Sequence, residues 1–81
     1  MNVNVRVFAG LRQLVGDSNI SVTLPDGSTI GALRDQLAAD YPPLDSMLST
    51  LVCAVDEETQ PPEYVLHDGD LVDVIPPISG G

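Results

Sequence analysis

Val3-Asn4-Val5-Arg6-Val7-Phe8, followed by Ala9-Gly10-Leu11-Arg12-Gln13-Leu14-Val15-Gly16, changes its period partway along. Val3, Val5 and Val7 alternate with Asn4, Arg6 and Phe8, which is the pattern of a half-buried strand. Leu11, Leu14 and Val15 then recur at i, i+3, i+4 before Gly16, which predicts a short helix with a glycine stop. Ile20, Val22 and Leu24 resume the alternation around Ser21 and Thr23. The Asn2–Leu24 stretch is therefore expected to form a hairpin whose connection carries the short helix.

Working outward, Pro25-Asp26-Gly27 is a strong turn signal. Ser28 or Thr29 can cap a following helix in which Ile30, Leu33, Leu37 and Tyr41 share one face. Pro42-Pro43 ends it, because proline cannot continue a helix. An irregular stretch is expected next, then a third strand over Leu51–Val55. Asp56-Glu57-Glu58-Thr59-Gln60-Pro61-Pro62 is read as an acidic, proline-bearing loop. Tyr64-Val65-Leu66 is read as a very short strand, His67 to Asp70 as a turn, and Leu71–Ile75 as the last strand. Runs of strands around one main helix predict an α+β fold with a mixed sheet of four to five strands. With the last strand beside the first, this is the β-grasp, or ubiquitin-like, arrangement. The expected division is a β-grasp domain over residues 1–75 and an extended tail over 76–81.

Composition narrows the function. Eighty-one residues make one small domain, and a hydrophobic fraction of 43% argues against disorder. No apolar run approaches the ~18 residues of a membrane span. The start, Met-Asn-Val-Asn-Val-Arg, lacks a basic region and a long apolar segment, so a cytoplasmic protein is expected. Twelve acidic residues face Arg6, Arg12 and Arg34, lysine is absent, and the net charge is −9. That charge repels phosphate backbones and anionic membranes, so neither nucleic acid nor membrane is an expected partner. It suits a basic protein surface, or equally a salty cytoplasm. The single cysteine, Cys53, lies in an apolar run and is expected to be a buried thiol. One cysteine cannot hold an iron–sulfur cluster, and His67 has no second ligand near it in sequence, so no metal site is expected.

The chain ends Pro76-Pro77-Ile78-Ser79-Gly80-Gly81. Pro-Pro holds the chain extended, and Gly-Gly is thin and tolerates backbone paths closed to other residues. Average glycine usage gives such an end by chance in roughly one chain in 200. Set behind a proline pair and a strand, it predicts a slender probe whose reactive group is the Gly81 carboxylate. Strand parity adds a docking surface. If Val3, Val5, Val7, Val72 and Val74 lie under the helix, then Phe8, Leu71 and Ile75 form an apolar patch on the open face, rimmed by Arg6 and Asp73. The opposite parity would place Phe8 in the core. Contiguous exposed apolar surface usually marks a docking site.

These segments resemble the MoaD/ThiS sulfur carriers, and most of all the molybdopterin synthase small-subunit branch. The matching residues are Val5-Arg6-Val7-Phe8-Ala9-Gly10-Leu11-Arg12, Leu14-Val15-Gly16, Thr29-Ile30-Gly31-Ala32-Leu33, Leu66-His67-Asp68-Gly69-Asp70-Leu71-Val72 and the Pro76–Gly81 tail. The resemblance implies that an E1-like adenylyltransferase activates Gly81 with ATP, so that an adenylate is held there transiently and no cofactor is bound tightly. Sulfur then replaces AMP to give a thiocarboxylate. The tail would enter the large subunit of molybdopterin synthase, in a heterotetramer, and donate sulfur to cyclic pyranopterin monophosphate. The chain alone would not be a catalyst. Gly81 carries the sulfur and Gly80 gives clearance. Pro76, Pro77, Ile78 and Ser79 form the neck, and Phe8, Leu71 and Ile75 contact the partners. A thiamine-pathway carrier and a ubiquitin-like modifier of protein lysines are the alternatives; thiamine carriers usually lack Pro-Pro before Gly-Gly. One departure stands out: family members commonly carry a Val-Asn-Gly-like turn after the third strand, where this chain has Val55-Asp56-Glu57-Glu58.

Overall fold

A computed structural model describes residues 1–8 and 10–76, apart from the side chains of Leu48 and Ser49. Its elements are β1 (Asn2–Val7), α1 (Leu11–Val15), β2 (Asn19–Thr23), α2 (Ile30–Asp40), a 3₁₀ segment (Pro42–Thr50), β3 (Val52–Val55), β4 (Glu58–Thr59) and β5 (Leu71–Ile75). The five strands form one sheet in the order β2-β1-β5-β3-β4. β1 pairs antiparallel with β2, from Asn2 opposite Thr23 to Arg6 opposite Asn19, which is the expected hairpin. β5 lies parallel to β1, with Val5 opposite Val72 and Val7 opposite Val74. On its other side β5 runs antiparallel to β3. This is the β-grasp arrangement.

The core follows the expected parity. Val3, Val5, Val72 and Val74 are fully buried and Val7 nearly so, together with Ile30, Leu33 and Leu37 of α2. Tyr41 is only half-buried and acts as the C-cap of α2, its N–H donating to Leu37 O at 2.7 Å. Its extended φ of −130° suits a residue before proline. Of the two candidate caps, Thr29 serves: its Oγ1 accepts from Ala32 N–H at 3.2 Å. The next orphan donors of α2 go to a neighbouring loop, Ile30 N–H to Tyr64 O at 3.0 Å and Gly31 N–H to Pro62 O at 2.9 Å. A Cβ at Gly31 would sit 3.4 Å from Pro62 O, an ordinary contact, so this approach does not depend on glycine. The short helix α1 ends as expected, with Gly16 left-handed at φ 89° and its N–H donating to Arg12 O.

Four expectations need correction. The stretch after α2 is not irregular: Pro42–Thr50 is a 3₁₀ segment that buries Leu44. The third strand begins at Val52 rather than Leu51. The acidic stretch is a tight hairpin: Asp56 and Glu57 turn the chain with φ of 51° and 68°, and Glu58–Thr59 pairs back as β4. Last, Tyr64-Val65-Leu66 is no strand, and only Val65 makes a bridge, to Thr29.

Candidate functional site

β5, the strand that precedes the tail in sequence, is set in place by the turn before it. In the His67-Asp68-Gly69-Asp70 turn, Asp70 Oδ2 accepts from His67 N–H at 2.8 Å, and Gly69 takes the left-handed φ of 84° that the turn requires. The turn then binds the start of β1: Gly69 N–H donates to Asn2 O, Asn2 N–H to Asp68 Oδ1, each at 2.8 Å, and Asn4 N–H to Asp70 O at 2.9 Å. These bonds set the parallel register that carries Leu71–Ile75 across the middle of the sheet. Pro76 follows, half-buried. Pro77, Ile78, Ser79, Gly80 and Gly81 lie outside the described residues, as does Ala9.

The open face of the sheet is built by alternation. Arg6 stands directly opposite Asp73 and makes two bonds with it, Nε to Oδ1 at 2.6 Å and Nη2 to Oδ2 at 2.9 Å. Two parallel N–H···O bonds to an ionised carboxylate are the strong form of this contact. The hydrogen bond to Asp73, and then its charge, raise the guanidinium pKa further above its ordinary value. Asp73 was expected at the rim of the patch, but it is only 8% exposed. The Arg6 guanidinium also sits 5.7 Å from the centroid of the Phe8 ring, within cation–π range.

Phe8 is 38% exposed, so it is not core. Leu71 and Ile75 are half-buried on the same face as Asp73. The register changes how these three relate. Along β5 the order is Leu71, Asp73, Ile75, so the ion pair divides the apolar residues instead of rimming them. Phe8 follows Val7, whose partner Val74 precedes Ile75, so Phe8 and Ile75 share one end of the face. Leu71 belongs to an open concavity of about 370 Å³ lined also by Arg6, Asp56, Glu57 and Asp73.

One residue of this face was missed from the sequence. Val52 pairs directly with Ile75 and is 38% exposed, while its neighbour Cys53 is buried. The signal was present, since strand parity with Cys53 inward turns Val52 outward. The apolar end of the face is thus Phe8, Ile75 and Val52. Cys53 is 3% exposed, and burial pushes its thiol pKa up. Among the described residues, no three His, Cys, Asp or Glu side chains gather as metal ligands, and no helix is long and apolar enough to cross a membrane.

Comparison with known proteins agrees with this fold. The molybdopterin synthase sulfur carrier subunit of Chlamydomonas reinhardtii is 39% identical over 83 residues, covering 100% of both chains. Small archaeal modifier protein 3 of Haloferax volcanii is 31% identical, again covering 100% of both. Among solved structures, SAMP1 of Haloferax volcanii superposes with a TM-score of 0.88 at 22% identity, over 100% of each chain. The protein–protein complex of subunits 1 and 2 of molybdopterin-converting factor from Helicobacter pylori contains a chain of the same fold, with a TM-score of 0.71 at 24% identity over 100% of each chain. The ThiS family model matches residues 5–81, and with these relatives it shows that the chain belongs to the ThiS/MoaD family, on a ubiquitin-like β-grasp fold.

Proposed function

We propose that the chain is the sulfur-carrier subunit of a molybdopterin synthase, and that its working group is the Gly81 carboxylate. The observation that carries this reading is the match, over the whole of both chains, to a molybdopterin synthase sulfur carrier subunit. The fold supports it physically, because the strand that leads into the tail is held on both sides and emerges beside Phe8, Ile75 and Val52. A partner that grips this face receives the tail in a defined direction.

In this reading an E1-like enzyme adenylates Gly81 with ATP. A carboxylate is a poor electrophile until it carries a leaving group, and covalent activation divides one hard step into easier ones. Sulfur displaces AMP, and the resulting thiocarboxylate is a strong nucleophile toward cyclic pyranopterin monophosphate. Two loaded carriers supply the two sulfurs of one dithiolene, within a heterotetramer with the large subunit. Gly80 gives clearance, Pro76, Pro77, Ile78 and Ser79 form the neck, and Phe8, Leu71 and Ile75 make the docking contacts.

The full-length likeness to a small archaeal modifier favours a second reading, in which Gly81 is joined to lysines of other proteins. Intact-mass measurement after co-expression with the activating enzyme separates the two. The sulfur-for-oxygen mass gain on Gly81 supports the carrier. High-mass conjugates cleaved by an isopeptidase support the modifier. An unchanged mass, with a Gly81 deletion that still functions, refutes both.

A further inference from the structure

An activated acyl group goes to whichever nucleophile reaches it, so the reactive groups on this chain itself matter. Primary amines and thiolates capture such a group in stable form or pass it on. A guanidinium does not, because it stays protonated, so Arg6, Arg12 and Arg34 are inert. Hydroxyls are weak nucleophiles without an adjacent base. The exposed His67 could only form an acyl-imidazole, which water hydrolyses.

Lysine, the usual acceptor, does not occur in the 81 residues. The α-amine of Met1 is part-buried and tied at the edge of the fold. It donates to Leu24 O at 2.8 Å and lies 3.3 Å from Oδ1 of the exposed Asp26. The remaining strong nucleophile, the Cys53 thiol, is buried in the core between the sheet and α2.

We propose that this protein is a donor and a poor acceptor: its own activated C-terminus can be transferred to amines of other proteins, while a second copy of the chain, lacking lysine and with its α-amine tied down, accepts it slowly. The inference rests on the activation of Gly81 proposed above. Transfer to an amine forms a C–N bond at the Gly81 carbonyl and breaks the bond to the phosphate oxygen. AMP leaves with the electron pair, and the amine proton passes to solvent. With no lysine in its sequence and the part-buried Met1 amine engaged by Leu24 O and Asp26, the chain forms single-unit conjugates in preference to polymers of itself. Two activated carriers brought close together remain separate for the same reason.

The test bypasses the activating enzyme. The chain is prepared with a thioester at Gly81 and mixed with mass-tagged, unactivated copies of either the wild type or Arg12→Lys. Arg12 is exposed, so the variant adds one accessible amine. Equal melting temperatures establish that both acceptors are folded, and Nα-acetyl-lysine verifies that the thioester reacts. The variant is expected to accumulate amide-linked dimer roughly tenfold or more faster than the wild type, since the Met1 amine must first release Leu24 O and Asp26. Wild-type dimer joined through Met1 or Cys53 at the variant's rate overturns the proposal, and so does a variant that couples no faster than the wild type. Pyrophosphate release by the activating enzyme is measured separately. Its absence refutes activation of Gly81 and leaves the thioester result standing.

Discussion

Replacing Glu57 by glycine should stabilise the protein, although it removes a side chain and touches no core residue. Asp56 and Glu57 form a two-residue connection between β3 and β4, and both have positive φ, 51° and 68°. Two-residue hairpins favour this geometry because its twist matches the strands, and they normally fill it with Asn-Gly or Asp-Gly. Asp56 suits the first position, since a short polar side chain eases the left-handed region. Glu57 has no such relief, and its Cβ conflict there costs about 1–2 kcal/mol. Glycine removes that cost but gains freedom in the unfolded chain, which takes back about 0.4–1 kcal/mol. The net gain for Glu57→Gly is about 0.5–1 kcal/mol, and a domain of this size gains about 4–8 °C in Tm per kcal/mol. Calorimetry at fixed ionic strength measures it, with Glu57→Ala alongside to remove the charge while keeping Cβ. If Glu57→Ala stabilises as much as Glu57→Gly, the gain comes from charge and the backbone argument is wrong. A glycine variant less stable than the wild type refutes it as well.

Other outcomes follow from the same coordinates. On the proposed reading, Phe8→Ala and Val52→Ser should leave Tm nearly unchanged yet weaken binding of a molybdopterin synthase large subunit by about tenfold or more, as apolar anchors do; thermal scans read the first and titration calorimetry the second, and a large loss of stability would place these residues in the core instead. Leu33→Ala, at a fully buried site on α2, should cost about 2–5 kcal/mol in urea unfolding. The raised Cys53 pKa makes stability depend on pH in the alkaline range: the folded thiol keeps its proton while the unfolded one loses it. That contribution is complete below the ordinary thiol pKa of about 8.5 and is lost as pH rises toward the folded value. Cys53→Ala should flatten this part of the slope, and an unchanged slope in urea titrations above and below that pH would refute the assignment.

Much of the architecture was legible because it is written in period. The alternating valines of β1 and β5 separate two faces and leave two parities, of which the structure buries the valines, and turn chemistry at Pro25-Asp26-Gly27 and Asp68-Gly69-Asp70 places the breaks. What escaped was structure that tertiary contacts impose. Asp56-Glu57 lacks the glycine that normally follows Asp in a left-handed two-residue turn, so β4 is read from sequence as loop. Pro42–Thr50 has no clean helical repeat, yet covering Leu44 winds it into 3₁₀ turns. Asp73 reads as a surface residue until register sets Arg6 opposite it. The docking face was legible in part: Phe8, Leu71 and Ile75 fall on it, but only the β3–β5 register reveals that Val52 stands beside Ile75.

The central position of β5 also has a mechanical consequence. Traction on the chain beyond Pro76 acts along the axis of a strand laddered to β1 on one side and to β3 on the other. Such a load shears both ladders at once, so their hydrogen bonds resist together rather than opening one after another. Forced unfolding is governed by the barrier to opening and not by equilibrium stability. A machine that grips the tail and pulls must therefore draw out the middle of the sheet in a single step. The chain beyond Pro76 is thus joined to the strand whose release requires two ladders to break together.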